Sequence, residues 1–119
     1  MDDRSSPTES EIIEEIAREL VRVHEDSYGT GATETHVHVV GDFVLVVLEI
    51  VLTPAEETLL EAGHADAVRA TRESYQAAIA PTFKAVVERA TGRTVSSFLS
   101  SMSVDPLYSA EIFRLEALR

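Results

Sequence analysis

The first pattern along the chain is a set of apolar positions that recur every three or four residues. Ile16 and Leu20 lie on this stripe, whereas the intervening positions are mostly Glu and Arg. The segment SPTE at residues 6–9 precedes the stripe. The Ser6 hydroxyl can accept a hydrogen bond from a backbone N–H of the first turn, and the Glu9 carboxylate can accept one from the N–H of Ser6. Pro7 suits the first helical position. We predict a helix that starts there and ends at about Glu25, before Gly29.

Two runs rich in Val, Ile, Thr and Phe follow, at residues 33–40 and 43–52, and they predict two strands. Gly41 and Asp42 separate the runs. Because a glycine at the first position of a two-residue connection suits a type II′ or I′ turn, we expect a tight antiparallel hairpin.

The second of these strands is apolar on both faces, which is the most informative pattern in the chain. Alternate positions from Val44 onward form one face, and Phe43, Leu45 and Val47 form the other, which Glu49 interrupts. A strand covered on both faces need not alternate between apolar and polar residues. If the helices pack on one face, a second copy of the chain is the simplest cover for the other. We therefore predict a homodimer, with Phe43, Leu45, Val47 and Glu49 as candidate interface residues.

The segment TPAE at residues 53–56 repeats the helix-start chemistry seen near the beginning of the chain. From there an apolar stripe continues almost to Gly92, which is placed to end the helix. Gly63 weakens this long helix by about 1 kcal/mol relative to alanine. Pro81 removes a backbone donor and clashes with the preceding turn, so we expect a kink or break over residues 77–81.

A second hairpin is predicted at the end of the chain. Residues 94–104 have the pattern of a strand weakened by five serines, and Asp105 and Pro106 give a turn signal. Residues 108–118 complete the hairpin, with a short helix as the alternative because Ala, Glu and Leu there are good helix formers. The predicted fold class is α+β, in the order helix, β-hairpin, long helix and β-hairpin. The four-stranded, mainly antiparallel sheet carries the helices on one face.

Length and composition limit the function classes. The chain has 119 residues, of which 45% are hydrophobic, so we expect one domain over residues 7–119 behind a disordered tail at residues 1–6. The sequence has no cysteine, which excludes disulfides, thiolate catalysis and cysteine-ligated metals. Its formal net charge of −11 opposes binding to nucleic acids and anionic lipids.

Two segments bear on the relation to membranes. The longest nearly apolar run, at residues 43–52, is far shorter than the roughly 20 residues that a membrane-spanning helix needs. Residues 1–6 are polar and do not resemble the start of a signal peptide. We expect a cytoplasmic protein that is not inserted in the membrane, so that any membrane role acts through a partner.

His36 and His38 are the candidate metal ligands. Two residues apart on a strand, they point to the same face, with imidazoles close enough to share an ion. A third ligand would come from His24, His64 or Glu34. In the alternative interpretation, His36 and His38 are polar residues on the solvent-exposed face of the hairpin, and the intervening valines point inward.

Glu49 interrupts an apolar face, and two interpretations stay open. A carboxylate whose pKa is raised by burial can serve as an acid, a base or a cation ligand. Alternatively, Glu49 lies at the rim of the sheet, or pairs across a dimer interface with Arg69, Arg72 or Arg114.

Arg69, Arg72 and Tyr75 follow one another at spacings of three along the long helix and form a candidate anion-binding patch. In the alternative arrangement the arginines pair within the helix with Glu73 and Asp66, and Tyr75 belongs to the core.

No pattern of catalytic residues stands out in the sequence. Gly29 and Gly31 precede a strand rather than a helix, which does not fit a dinucleotide-binding loop. The serines at positions 96, 97, 100, 101 and 103 fit an edge strand or an interface better than a nucleophile. The sequence therefore indicates no catalytic residues and no cofactor, and it favours a non-enzymatic protein over an enzyme, with both classes left open.

Several short segments occur in a recognisable order: GTG at 29–31, GD at 41–42, LTPAE at 52–56, Leu59, Leu60, Gly63, Arg69, Arg72, Pro81 and TG at 91–92. This order resembles the MpsC-type family, described as one component of a sodium-translocating system that generates membrane potential. The likeness covers roughly residues 10–104, and LTPAE after a hydrophobic strand is its most specific part. The chain departs from the family at Ala32, where proline is usual, and at residues 98–103, where charged or histidine-containing stretches are usual.

The resemblance implies a cytosolic, non-catalytic accessory protein of a membrane system that translocates cations or bicarbonate, acting through protein partners such as a transporter subunit. The alternative, drawn from the residues, is a small-ligand or metal-binding module that uses His36 and His38 and the helix face of Arg69 and Arg72. A dimeric scaffold with neither activity is the third hypothesis.

Overall fold

The computed structural model describes residues 7–28 and 32–117, and the predicted tail at residues 1–6 lies outside them. The described residues confirm the α+β order of helix, hairpin, helical segment and hairpin. The last segment is a strand rather than the alternative short helix. The elements are α1 (Glu9–Tyr28), β1 (Ala32–Val40), β2 (Phe43–Ile50), α2 (Pro54–Glu61), α3 (Ala65–Thr91), β3 (Val95–Ser103) and β4 (Tyr108–Leu115).

The cap of α1 lies two residues later than the SPTE segment predicts. Thr8 Oγ1 accepts from the backbone N–H of Glu11 at 3.1 Å, and Glu11 Oε1 accepts from the N–H of Thr8 at 2.8 Å. Thr8 and Glu11 have the same spacing as the predicted pair and supply the same reciprocal bonds. These bonds lower the pKa of Glu11. Ser6, the residue predicted to cap α1, lies outside the described residues.

The long helical segment is interrupted at Gly63, whereas over residues 77–81, where a kink or break is predicted, the helix is not broken. Gly63 has φ +84°, a left-handed conformation that ends α2 at little cost for glycine alone. α3 then continues through Pro81 to Thr91. Ala77 and Pro81 are both exposed, so water can hydrate the carbonyl that the proline leaves without a donor. Gly92, with φ +70°, ends α3 as predicted.

The four strands of the described chain form one antiparallel sheet in the order β1-β2-β4-β3. In the first hairpin Gly41 has φ +59° and Asp42 does not have a positive φ, which excludes a type I′ turn and fits type II′. The serine-rich strand β3 is an edge strand, as its composition indicated. β2, which is apolar on both faces, occupies an inner position.

The core lies between one face of the sheet and the helices α1 and α3. Val44, Val46 and Leu48 of β2 are fully buried on this face, while the intervening residues of β2 are half-buried or exposed. Each such side chain contributes about 1.5–3 kcal/mol through burial. Phe113 of β4 lies beside them on the same face, and the opposing side chains come from the two helices and include Ile16, Leu20, Phe83, Val86 and Val87.

The opposite face of the sheet, which we call the open face, has no helix packed on it within the described residues. Leu45, Val47 and Ile112 form its half-buried centre, and Leu99 is 63% exposed. All four predicted interface residues lie there. By strand register, the open face consists of Glu34, His36, His38, Val40, Phe43, Leu45, Val47, Glu49, Ser97, Leu99, Ser101, Ser103, Tyr108, Ala110, Ile112 and Arg114.

No helix in the described part of the chain is long and apolar enough to cross a membrane.

Candidate functional site

The pairing of β1 with β2 gathers three ionisable side chains at one end of the open face. Glu34 lies opposite Glu49, and His36 follows Glu34 by two residues on the same face. His36 Nε2 is 3.0 Å from Glu49 Oε2 and 3.3 Å from Glu34 Oε2. One ligand atom from each residue lies within 4.8 Å of the others, so these three residues form the candidate metal site.

The cluster suits a proton or a transition-metal ion. The hydrogen bond with Glu49 raises the pKa of His36, burial opposes the rise, and the charges of Glu34 and Glu49 add to it. When His36 is protonated, its imidazole bridges the two carboxylates. A neutral imidazole with two carboxylates is also a ligand set that zinc accepts. The three side chains are exposed, so solvent reaches the site.

Of the other histidines named from the sequence, none joins this cluster. His38 lies on the same face opposite Leu45, two register positions beyond His36. His24 is fully buried in α1, beside Arg72. His64 is exposed at the start of α3. Glu34 is therefore the one predicted third group that the described structure brings to His36.

A buried ion pair between Glu56 and Arg72 joins α2 to α3. Arg72 Nε donates to Glu56 Oε2 and Nη2 donates to Oε1, each at 2.6 Å. The Arg72 side chain is 1% exposed and that of Glu56 is 11% exposed. Nη2 also donates to the carbonyl of Val51 at 3.3 Å, and Nη1 lies 3.4 Å from His24 Nε2. The guanidinium thus ties together α1, the end of β2, α2 and α3.

Glu56 has two roles because of where it stands in the TPAE segment. Thr53 caps α2, since its Oγ1 accepts from the N–H of Glu56 at 3.2 Å and Glu56 Oε1 accepts from the N–H of Thr53 at 2.9 Å. The same carboxylate holds Arg72. Burial acts to raise the pKa of Glu56, but the bonds from Arg72 and Thr53 outweigh it and the pKa is lowered.

The three residues of the predicted anion patch contact three different parts of the fold. Arg72 belongs to the buried pair, Arg69 Nη1 donates to the carbonyl of Met102 at 2.9 Å, and the Tyr75 hydroxyl donates to the carbonyl of Ser27. The side chains therefore anchor α3 to α2, β3 and α1 respectively.

One group that sequence reasoning missed is Glu111, which is fully buried on the inner face of β4. Only the helix-forming tendency of this residue entered the prediction. The strand pattern did contain a signal, because Glu111 alternates with the core residues Phe113 and Leu115 and so had to point inward.

The fold and these contacts define a small α+β protein with an open sheet face, a polar cluster at one end of that face and a buried ion pair behind it. The family model named "Na+-translocating membrane potential-generating system (MpsC)" matches residues 8–117. The chain therefore belongs to the MpsC family. Glu56 and Arg72, both within the segments that carry the resemblance, are the two members of the buried pair. No curated protein matches the chain, and no solved structure matches it.

Proposed function

We propose that this protein is a cytoplasmic, non-catalytic accessory component of a membrane system that translocates cations or bicarbonate, and that it works as a homodimer joined through the open face. The family links the chain to a Na+-translocating system that generates membrane potential. The observation that carries the dimer is the open face, where Leu99, Phe43 and Tyr108 are exposed beside a half-buried apolar centre.

The charges at the two ends of the open face favour a second copy as the occupant. One end, which we call the basic end, carries Arg114 as the charged residue of the open face, opposite Phe43 and with its guanidinium 5.5 Å from the ring centre. The other end carries Glu34 and Glu49 on adjacent strands. Two open faces can stack on each other about a twofold axis that lies in the plane between the sheets. If this axis is perpendicular to the strands, the basic end of each copy lies on the acidic end of the other. An axis parallel to the strands sets like charges against each other, which is unfavourable.

The dimensions of the open face indicate how strong this association is. Four strands about 4.8 Å apart, each about eight residues long at about 3.4 Å per residue, cover about 500 Å² per copy, or about 1,000 Å² for the pair. This area lies at the lower limit of specific interfaces. We therefore expect a reversible dimer whose population rises with protein concentration.

The dimer is tested by measuring molar mass with size-exclusion chromatography and light scattering. The wild-type chain should approach twice its 13.0 kDa at high concentration. Leu99→Glu places a charge on the edge strand of the open face, next to Ile112 of its apolar centre, and should leave a monomer. Leu59→Glu is the matched control, because Leu59 is an exposed leucine of α2 away from that face. Equal effects of the two substitutions would contradict the proposed interface.

The accessory role needs a separate test, because the dimer can be correct and this role wrong. Vesicles from the native cells are assayed for Na+-dependent membrane potential with a voltage-sensitive dye, with and without the gene for this chain. Loss of the gene should lower the potential, and the wild-type chain should restore it while Leu99→Glu does not. An unchanged potential without the gene would contradict the accessory role and leave the dimer measurement standing.

A metal-binding function is the second candidate, and the Glu34–His36–Glu49 cluster favours it over a site made from both histidines. Zinc added to the purified chain should raise its melting temperature, His36→Ala should abolish the rise, and His38→Ala should leave it unchanged. His38 is the matched control because it shares the strand and face of His36 but lies outside the cluster. Equal loss in both variants would favour the two-histidine site instead.

A further inference from the structure

The outer edge of the sheet at β3 lacks the features that normally prevent further strand pairing. β3 is nine residues long and contains no charged residue, proline or glycine over Val95–Ser103, with one register irregularity at its start. Edge strands usually carry charges, proline or bulges that block pairing with another chain. The other edge strand, β1, carries Glu34, His36 and His38. β3 is therefore the edge that is better suited to accept another strand.

A contact between α3 and β3 shows which backbone groups face the outer edge. The carbonyl of Met102 accepts a hydrogen bond from Arg69 Nη1 at 2.9 Å, so this carbonyl points away from β4 and toward α3. Backbone groups of alternate residues in a strand point to the same side. Those of Phe98 and Ser100 therefore face the outer edge as well, and no strand of the described chain pairs with them there. Arg69 occupies the edge at Met102 and leaves the stretch around Phe98 and Ser100 for a partner.

A cleft of about 300 Å³ opens beside this edge, between α3 and β3. Ala77 and Ala80 line it from the helix and Phe98 and Met102 from the strand, and no described residue of β4 does. Ser100 is exposed although it lies on the inner face of the sheet, and the cleft lies in front of it. The volume is about ten times the roughly 30 Å³ that one water molecule takes up in the liquid, so an aliphatic side chain fits.

An antiparallel strand added to β3 places alternate side chains at this cleft. In an antiparallel pair, residues directly opposite each other have their side chains on the same face of the sheet. The residue opposite Ser100 therefore points toward Ala77 and Ala80, whereas its two neighbours point to the side of the open face. Backbone hydrogen bonds with Phe98 and Ser100 supply affinity, and the cleft selects an apolar side chain at one position.

The charges near the cleft favour a basic partner segment over a second copy of this chain. Arg72 lines the cleft but is neutralised by Glu56. The guanidinium of Arg69 is directed to a backbone carbonyl, whereas Glu73, which also lines the cleft, is exposed. The whole chain has a formal charge of −11, which attracts a cationic segment and repels a second copy. In contrast to the open face, β3 has no charged residue that could offset this repulsion with an ion pair.

We propose that the outer edge of β3 binds an extended, basic segment of a partner protein as an added antiparallel strand, with one apolar side chain in the cleft between α3 and β3. The segment pairs with the backbone of β3 and leaves the side chains of the open face uncovered. The proposal therefore does not depend on the homodimer, and a dimer can bind one segment at the β3 of each copy.

The experiment measures binding of a fluorescein-labelled peptide, Lys-Thr-Val-Thr-Leu-Thr-Val-Thr-Lys, to the full chain by fluorescence anisotropy. Its alternation places the leucine and valines on the cleft side, and the terminal lysines supply positive charge. We expect saturable binding that weakens as NaCl is added.

Peptides with one N-methyl group test the backbone pairing directly. N-methylation of the central leucine removes an N–H that faces β3 and should weaken the affinity by about tenfold or more. N-methylation of the threonine next to it is the matched control and should have little effect, because the N–H of that residue points away from β3.

Two substitutions at one position test the edge of β3. Ser100→Pro removes an N–H that faces the outer edge and no hydrogen bond to β4, so the chain should fold while binding weakens by about tenfold or more. Ser100→Ala is the matched control. It loses the same hydroxyl, which donates to Glu111, but keeps the N–H and should bind the peptide.

A second pair of variants tests the cleft. Ala80→Leu fills the cleft and should weaken binding of the peptide by about tenfold or more. Ala78→Leu, at an exposed alanine of α3 that does not line the cleft, should leave binding unchanged. Circular dichroism verifies that each variant is folded.

The N-methylated peptides and Ala80→Leu decide the question even if Ser100→Pro unfolds. Failure of the unmodified peptide to bind, equal effects of the two N-methyl groups, or undiminished binding in Ala80→Leu would each overturn the proposal. A lower molar mass of Ser100→Pro than of Ser100→Ala without peptide would also overturn it, in favour of a second copy at this edge.

Discussion

Removing the charge of Glu56 should destabilise this protein far more than the small change in side-chain structure suggests. In Glu56→Gln the amide oxygen can still cap α2, but the Arg72 guanidinium, 1% exposed, loses its counter-charge. Breaking a buried pair by removing one partner costs about 3–5 kcal/mol. Because His24 and the carbonyl of Val51 still face the guanidinium, we expect about 3 kcal/mol, a large fraction of the roughly 5–15 kcal/mol that stabilises a typical domain.

The assay is equilibrium urea denaturation followed by circular dichroism at one fixed protein concentration, since dimerisation adds a concentration-dependent term. Thr53→Ala is the matched control, because it removes the other half of the same capping box and leaves the ion pair in place; about 1 kcal/mol is expected. The double variant Glu56→Leu/Arg72→Met removes both charges and should be more stable than Glu56→Gln. A loss in Glu56→Gln no larger than in Thr53→Ala would refute the view that the buried charge pair stabilises the fold.

Three further substitutions or conditions test other parts of the structure. Gly92→Ala should lower the free energy of unfolding by about 1 kcal/mol, because φ +70° is strained for alanine, and calorimetric melting checks it. Phe83→Ala should cost about 3–5 kcal/mol in urea denaturation because the ring is fully buried, whereas Thr82→Ala on the exposed side should cost little. The lowered pKa of Glu56 means that its stabilising effect is present above the ordinary value of 4.5 and is lost as the pH falls through the folded-state pKa. Unfolding curves at acid pH should therefore converge for the wild type and Glu56→Gln, and parallel curves would contradict this.

Local patterns predicted the elements well because local chemistry determines them. The second strand, which is apolar on both faces, predicted that one face packs in the core and that the other needs a different cover, and the serines of β3 favoured an edge strand or an interface. The TPAE segment gave the start of α2 because Thr53 and Glu56 satisfy each other's backbone groups within one turn.

Longer-range features could not be read from the same patterns. Gly63 and Pro81 both disfavour helix, and the choice between them depended on where the chain had to turn so that α3 could pack on the sheet. The Glu56–Arg72 pair joins residues 16 positions apart, which become neighbours only when α2 folds back along α3. Glu111 alternates with Phe113 and Leu115, which places it on the inner face, but only the structure shows that this carboxyl is fully buried there.

The most direct test of the central claim, a dimer joined through the open face, is a charge exchange followed by sedimentation equilibrium. Arg114 and Glu49 lie at opposite ends of that face, six residues or about 20 Å apart along the strands, so they cannot contact each other within one chain. The proposed twofold arrangement predicts that Arg114→Glu is a monomer and that adding Glu49→Arg restores the dimer. A wild-type chain that stays monomeric at high concentration, or a double variant no more associated than Arg114→Glu, would contradict the account.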